Sequence, residues 1–181
     1  RIRAEFHPFV PGFTHDIVIT PRMAFGTGHH ATTRMMVEAM LPLDLKGRNV
    51  CDLGCGTAVL AILAERMGAA HVRAIDNDAQ AVANAKENVV LNGCQRIAVE
   101  NGDVRLLGPA GCDAILANIE RNTLLRDMLS MRNALAPGGT LLLSGFVRED
   151  RARMLDAITA AGMRPAEDLT IGDWALIGCR K

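Results

Sequence analysis

The chain has 181 residues, of which 49% are hydrophobic and 22% charged, a composition typical of a globular domain with a substantial core. Its 20 lysines and arginines balance 20 aspartates and glutamates, and only 3% of its residues are aromatic. It therefore has neither the basic excess nor the stacking platforms of most nucleic-acid-binding proteins. No apolar run approaches the roughly 18 residues that a membrane-spanning helix needs, and the first residues do not resemble a secretion signal.

Residues 1–47 are predicted to form an N-terminal segment. A strand is expected at Asp16–Thr20 and a helix at Thr33–Met40, with Thr32 or Thr33 as its cap. Between them lies the loop FGTGHHATT, residues 25–33.

This loop allows three interpretations. It lacks the lysine of the phosphate-binding pattern G-x-x-x-x-G-K-[ST]. Its adjacent histidines, His29 and His30, point in opposite directions in an extended segment and have no second ligand cluster, so no metal site is predicted. A glycine-rich loop before a helix can instead fold across a bound cofactor, and a plain linker is the remaining alternative.

Residues 48–181 alternate short apolar runs with longer helical segments and are predicted to form the cofactor-binding domain. Near-continuous apolar strands alternating with helices indicate an α/β, Rossmann-like fold with a mostly parallel seven-stranded sheet and helices on both faces. The last two strands are too close for a helical crossover and predict an antiparallel hairpin. The predicted strands are Asn49–Leu53, His71–Ile75, Ile97–Val99, Asp113–Ala117, Thr140–Ser144, Met163–Leu169 and Trp174–Cys179, and the helices are Ala58–Met67, Asp78–Asn92, Thr123–Leu135 and Arg148–Ala161.

Polar or glycine-rich features follow the first four predicted strands of this domain. Ligands of open parallel sheets bind beyond the carboxyl ends of the strands, so these features are expected to meet at one site. Asp76 lies 22 positions after Gly54, close to the spacing of an acid that binds a ribose. The features are Asp52 with Gly54 and Gly56, then Asp76, then Asp103, and finally Asn118.

The residues around the first glycines favour S-adenosylmethionine over a dinucleotide. A dinucleotide site requires G-x-G-x-x-G, whose third glycine is absent, and the carboxylate of Asp52 would repel a pyrophosphate. It would suit an ammonium or a sulfonium, while Asp76 is predicted to bind the ribose and Asp103 to accept from the adenine amine. The alternatives are a salt-bridged or helix-capping Asp52, a solvated Asp76 and a plain turn carboxylate at Asp103.

Several segments resemble the ribosomal protein L11 methyltransferase (PrmA) family. The similarity covers about residues 15–180, and the loop at residues 25–33 is its most specific part. The other matching segments are Asp52-Leu53-Gly54-Cys55-Gly56, Ala74-Ile75-Asp76-Asn77-Asp78 and Ala117-Asn118-Ile119.

The resemblance implies a class I methyltransferase fold and a protein methyltransferase that modifies lysine side chains and the N-terminal amine of one ribosomal protein. It implies that Thr33, Gly54, Asp76 and Asn118 bind S-adenosylmethionine, and the loop residues Phe25, Gly26, Thr27 and Gly28 are predicted to contact it too. The sequence departs from the family at Ala58, often a glycine, and at Glu120, often small or apolar. The family's N-terminal substrate-recruiting domain is not expected within these residues.

Asn118 is the predicted catalytic residue. Its side-chain carbonyl can accept an N–H of the substrate amine and turn the lone pair toward the methyl group, but it cannot act as a base. Strand-end capping is the alternative role for this side chain.

Other functions remain open. They are methylation of another protein's lysines or of a small amine, and a non-catalytic cofactor-binding module. A nucleic-acid adenine methyltransferase is disfavoured because Asn118-Ile119-Glu120-Arg121 lacks the Asn-Pro-Pro-aromatic pattern. The five cysteines form no C-x-x-C pair, which favours reduced thiols and a cytoplasmic protein.

Overall fold

The computed structural model of the protein describes residues 1–20 and 30–181. Short 3-10 turns occur at Val104–Leu106 and Arg148–Asp150. The strands are β1 (Ile2–Ala4), β2 (Ile17–Ile19), β3 (Asn49–Leu53), β4 (His71–Asp76), β5 (Ile97–Asn101), β6 (Cys112–Asn118), β7 (Leu135–Val147), β8 (Arg164–Ile171) and β9 (Trp174–Arg180), and the helices are α1 (Ala31–Met40), α2 (Val59–Arg66), α3 (Ala79–Leu91), α4 (Arg121–Ala134) and α5 (Arg151–Ala160).

Seven strands form one sheet in the order β5-β4-β3-β6-β7-β9-β8. Each neighbouring pair from β5 to β7 is parallel, and β9 runs antiparallel to both β7 and β8. The predicted fold is therefore confirmed, including the C-terminal antiparallel hairpin. Because β9 is reversed, its first residue lies at the same edge of the sheet as the last residues of the parallel strands.

Two hydrophobic clusters cover the two faces of this sheet. Successive strand residues point to opposite faces, so Val50 joins one cluster and Cys51 the other. Helices α1, α2 and α3 contribute to the first cluster, and α4 and α5 contribute to the second. Burial on both faces explains why the strands are near-continuous apolar runs rather than alternating ones.

The N-terminal segment contains a strand that the sequence pattern did not predict. β1 pairs in parallel with β2 as a separate two-stranded sheet. Ile17 and Ile19 of β2 and the buried apolar residues of α1 belong to the first hydrophobic cluster. The predicted division of the chain into two segments at residue 47 remains a prediction. The N-terminal segment shares its hydrophobic core with the residues that follow.

Helix α1 begins two residues before its predicted start. His30 is the N-cap, and its ring accepts a hydrogen bond from the backbone N–H of Thr32. The prediction that Thr32 or Thr33 caps the helix is therefore wrong, and both threonines lie buried in its first turn.

Two further elements have boundaries that differ from the predicted ones. The strand predicted at Thr140–Ser144 begins earlier, at Leu135, because Leu135 already pairs with Cys112, and it includes the turn-forming residues Pro137-Gly138-Gly139. The last predicted helix is divided into a 3-10 turn and α5. Among the residues that the structure describes, no helix is long and apolar enough to cross a membrane.

Candidate active site

A cavity of about 670 Å³ opens at the carboxyl ends of the parallel strands. It is centred on β3, which lies between β4 and β6, so the strand order reverses at this point. Ligands of open α/β sheets bind at such a reversal. Six of the residues predicted from the sequence line the cavity, namely Thr33, Gly54, Gly56, Asp76, Asp103 and Asn118.

The loop after β3 has a backbone that requires glycine at its first position. The N–H groups of Gly54 and Cys55 both donate to the carbonyl oxygen of Ile75, at 2.8 and 3.0 Å. Gly54 has a φ of 72°, and a Cβ there would lie 2.0 Å from Cγ2 of Ile119. Ala58 also has a positive φ, of 63°, which is strained for alanine.

Asp76 links this loop to the end of β4. Its Oδ2 accepts a hydrogen bond from the N–H of Gly56 at 2.9 Å, and its Oδ1 accepts one from Asp78 N–H at 3.0 Å. Each carboxylate oxygen can accept more than one hydrogen bond, so the group remains able to bind hydroxyls within the cavity. The two backbone bonds fix its orientation there.

Asp52 does not line the cavity. It is 1% exposed, and its Oδ2 accepts a hydrogen bond from the N–H of Ala61, in the first turn of α2, at 3.0 Å. Burial raises the pKa of Asp52 to about 7, the Ala61 N–H opposes this rise, and the negative charge of Asp76 adds to it. The contact of Asp52 with Ala61 N–H is the one that the helix-capping alternative predicts. A direct bond from Asp52 to a bound cation stays a prediction.

Asp103 lines the cavity but is paired with a neighbour. Arg105 donates to both carboxylate oxygens at 2.7 to 3.0 Å, and its backbone N–H donates to Oδ1 at 2.9 Å. These hydrogen bonds lower the pKa of Asp103 to about 2. The carboxylate thus begins the 3-10 turn, as the turn alternative predicts, and its binding of an adenine amine stays a prediction.

Asn118 ends β6 and forms part of the cavity wall. It pairs in register with Ser144 of β7, whose buried hydroxyl donates to the carbonyl of Ala175 at 2.9 Å. Its own side chain makes no hydrogen bond within the described part of the chain, so its amide can face a ligand. Glu120 is exposed and accepts a hydrogen bond from Thr123 Oγ1 at the start of α4.

Two residues with aromatic rings line the cavity but were not predicted from the sequence as site residues. His30 and Trp174 both line the cavity and are in edge-to-face contact, with ring centroids 4.8 Å apart. Sequence reasoning rejected His30 as a metal ligand, considered it otherwise only as part of the loop at residues 25–33, and placed Trp174 at the start of a strand. The reversed direction of the last strand was the available signal, because it brings Trp174 to the carboxyl ends of the others.

A second unpredicted group comes from α4. Thr123, Arg126 and Asp127 line the cavity on the side of Asp103. Arg126 donates to both oxygens of Asp127 at 2.9 and 2.8 Å, so this pair is internally neutral. A helix that follows the last residue of a central strand starts beside the ligand site, which is the signal that could have identified it.

Four predicted cofactor-binding residues, Phe25, Gly26, Thr27 and Gly28, lie outside the described residues and stay predictions. So does any role of His29. Among residues 1–20 and 30–181, no group of three or more potential ligands could hold a metal ion.

Comparisons with known families give a consistent result. The model of the family described as ribosomal protein L11 methyltransferase (PrmA) matches residues 12–181. The chain is 46% identical over 179 residues to a ribosomal protein L11 methyltransferase of Porphyromonas gingivalis, covering 97% of this chain and 61% of that protein. A relative of the same name from Phocaeicola vulgatus is 42% identical, with 97% and 63% covered. The chain thus spans less than two thirds of the length of these relatives.

Solved structures show the same architecture. A ribosomal protein L11 methylase from Lactobacillus delbrueckii subsp. bulgaricus superimposes with a TM-score of 0.90 at 26% identity, covering 99% of this chain and 93% of that one. An S-adenosylmethionine-dependent methyltransferase from Mesorhizobium loti has a TM-score of 0.69 at 17% identity, covering 86% of this chain and 100% of that one. The second likeness supports the fold alone.

Proposed function

This chain belongs to the ribosomal protein L11 methyltransferase family, and we propose that it transfers methyl groups from S-adenosylmethionine to amines of that ribosomal protein. The family resemblance in the sequence is confirmed by the family model and by relatives at 42% and 46% identity. The observation that carries the proposal is the convergence of the Gly54 loop, Asp76 and Asn118 in one cavity. The proposed cofactor and the proposed acceptor can thus meet at a single place.

The charges of the cavity suit a cationic cofactor. The carboxylates of Asp76, Asp78 and Glu120 line it, while the two other acids there are each paired with an arginine. An anionic pyrophosphate would be repelled by such a lining, whereas a ligand with a sulfonium and an ammonium would be attracted. When bound, S-adenosylmethionine supplies an electrophilic methyl group.

The glycine loop and Asp76 would hold this cofactor. A Cβ at Gly54 would fill the space beside Ile119, so the absence of a side chain leaves room for close approach to the backbone. The Asp76 carboxylate, already oriented by Gly56 N–H, would accept hydrogen bonds from the ribose hydroxyls.

The acceptor amine must reach the site without its proton. A free lysine, with a pKa of about 10.4, is about 3.4 units from pH 7, so deprotonation costs roughly 4–5 kcal/mol. An α-amine, with a pKa near 8, costs far less, and an apolar wall lowers either pKa. We expect the proton to be lost to water before the attack, because Asn118 cannot take it.

Asn118 would then orient the neutral amine. Its side-chain carbonyl accepts one N–H and directs the nitrogen lone pair at the methyl carbon. The new N–C bond forms as the C–S bond breaks, and the electron pair of that bond stays on sulfur. Alignment of the reacting atoms is the main contribution of the protein and can be worth several kcal/mol.

Lysine side chains and the N-terminal amine of the ribosomal protein are the proposed acceptors. The experiment is incubation of the chain with labelled S-adenosylmethionine and ribosomal proteins from an undermethylated source. Label on one large-subunit ribosomal protein, at lysine or the N-terminal amine, supports the proposal. Cofactor binding without transfer would favour the non-catalytic module instead.

An Asn118→Ala variant tests the assigned role in the same assay. We expect turnover to fall by about 10 to 100 times and the cofactor affinity to fall less, since the contact to the amine is lost in addition to any contact with the cofactor. Equal losses in turnover and in cofactor affinity would contradict this role.

A further inference from the structure

Ile119 occupies a narrow slot between two glycines. It directly follows Asn118 at the end of β6, whose neighbours in the sheet are β3 and β7. Gly54 follows β3 and Gly145 lies in β7, and both line the cavity together with Ile119. The residue after the proposed catalytic asparagine is thus enclosed from both sides.

Gly145 lies against the backbone of Ile119. A Cβ at Gly145 would lie 2.3 Å from the carbonyl oxygen of Ile119, 2.8 Å from its carbonyl carbon and 3.0 Å from its nitrogen. These are backbone atoms, so relief of the collision would require movement of the backbone of Ile119, which is bonded directly to Asn118.

The conformation of Gly145 reinforces this contact. Its φ is 93°, and the register between β7 and β9 shifts between Ser144 and Phe146, which makes Gly145 the extra residue of a bulge. Bulges with a left-handed glycine bend a strand and redirect its end. Here the bend occurs immediately after Ser144, the last residue of β7 in register with β6.

Gly54 lies against the side chain of the same isoleucine. A Cβ there would be 2.0 Å from Cγ2 of Ile119 and 3.5 Å from its Cβ. A β-branched side chain has few rotamers with which to avoid such a collision. By contrast, a Cβ at Gly162, which also has a positive φ (75°), would meet nothing within 4 Å, so this glycine can serve as a control.

We propose that Ile119, seated between Gly54 and Gly145, is a positioning residue that holds the Asn118 amide and the cofactor loop in one fixed relative geometry. The catalytic part of this inference rests on the proposed methyl transfer in the same cavity. Small displacements of aligned groups can reduce turnover about 100-fold, so a fixed distance between cofactor loop and amide has a direct kinetic value.

The first test substitutes Gly145→Ala, with Gly162→Ala as the matched control. Both changes place alanine at a positive φ, but only the first collides with Ile119. We expect the first variant to lose about 100-fold in kcat with a change of at most about threefold in cofactor Kd, and the control to keep both values. Equal behaviour of the two variants would overturn the proposal.

The second test is a double-mutant cycle that needs no catalysis. Gly54→Ala and Ile119→Ala are each expected to lower the urea midpoint of unfolding. The second substitution removes Cγ2, so in the Gly54→Ala background it should instead raise the midpoint and recover about half of the loss. Additive losses would show that the slot does not exist, even if Gly145→Ala fails to fold.

The two tests separate this inference from the proposed function. A wild-type chain that transfers no label would contradict the methyltransferase proposal, while the urea cycle would still decide whether Ile119 is held between the glycines. A chain that is active, with additive losses in the cycle, would leave the function intact and reject the slot.

Discussion

At the scale of single residues, the carboxylates near the cavity differ mainly in their access to water and in their partners. Asp52 is buried with one backbone N–H, and its pKa rises to about 7. Asp103 is in contact with solvent and paired with Arg105, and its pKa falls to about 2. Asp52 lies in β3 and Asp103 follows β5, two strands separated by β4, so two acids of one sheet can carry different charges at neutral pH.

The burial of Asp52 predicts a pH-dependent contribution to stability. A folded-state pKa above the ordinary value of 3.8 means that the folded protein keeps a proton that the unfolded chain releases. Its contribution is therefore fully present below about pH 4 and is lost as the pH rises through about 7. Each unit of difference corresponds to about 1.4 kcal/mol, so the total change is a few kcal/mol.

Asp52→Asn should remove this dependence. We expect the free energy of unfolding of the variant, relative to wild type, to increase between pH 5 and about pH 8, measured by urea unfolding at each pH. Parallel curves for the two proteins would show that Asp52 is ionised in the folded state across this range.

Asp76 is predicted to bind the ribose of the cofactor. Asp76→Ala should weaken cofactor binding about tenfold or more, because hydrogen bonds to a charged group contribute about 1.5–3 kcal/mol. Calorimetric titration with S-adenosylmethionine measures the effect. Asp44→Ala, at an acid that does not line the cavity, is the control, and an unchanged Kd for Asp76→Ala would reject the ribose assignment.

At the scale of elements, two asparagines, one within α3 and one at its C-cap, attach β2 to the rest of the protein. Asn92 accepts from Val18 N–H at 2.9 Å and donates to the Val18 carbonyl at 2.7 Å. One turn earlier, Asn88 accepts from Thr20 N–H at 2.9 Å and donates to the Thr57 carbonyl at 3.1 Å. A helical turn and two strand residues both advance about 6 Å, so the spacings match.

Asn88 therefore connects the N-terminal strand with the cofactor loop. Asn88→Ala removes the acceptor for Thr20 N–H and the donor to the Thr57 carbonyl, in a fully buried position. We expect the free energy of unfolding to fall by about 1–3 kcal/mol and the cofactor Kd to rise. Urea unfolding and calorimetry measure both, with exposed Asn133→Ala as control; equal effects of the two changes would contradict this connection.

At the scale of the whole molecule, the cavity exists only in the folded sheet. Its lining comes from α1, from the ends of β3 to β6 and the residues after them, from Gly145 of β7, from α3 and α4 and from the first residue of β9. No continuous piece of the chain contains enough of these residues to form the site. A ligand of this cavity must therefore bind the folded state in preference to the unfolded chain.

This preference predicts stabilisation by the cofactor. S-adenosylmethionine at about 100 times its Kd should raise the free energy of unfolding by about 2.7 kcal/mol, which thermal and urea unfolding would detect. A nicotinamide dinucleotide is the matched control, since its pyrophosphate would face Asp76, Asp78 and Glu120. Stabilisation by the dinucleotide alone would contradict the proposed cofactor.

Much of the fold and part of the site could be predicted from local sequence patterns. Apolar runs separated by helical segments define a doubly covered parallel sheet, and strand ends of such a sheet must converge. Gly54, Asp76 and Asn118 were identified for this reason, and all three line the cavity. Phe25 to Gly28 stay predictions because they lie outside the described residues.

The sequence by itself thus determined the fold class, the family and the edge of the sheet where ligands bind, because each depends on residues close together in the chain. Only the tertiary structure decided the role of Asp52, the contact of His30 with Trp174 and the enclosure of Ile119 by two glycines. These features depend on burial and on contacts between residues far apart in the chain. The pairing of β3 with β6 and of β6 with β7 brings Gly54, Ile119 and Gly145 together, and the reversed β9 brings Trp174 to the same edge of the sheet. No local sequence pattern predicts these contacts.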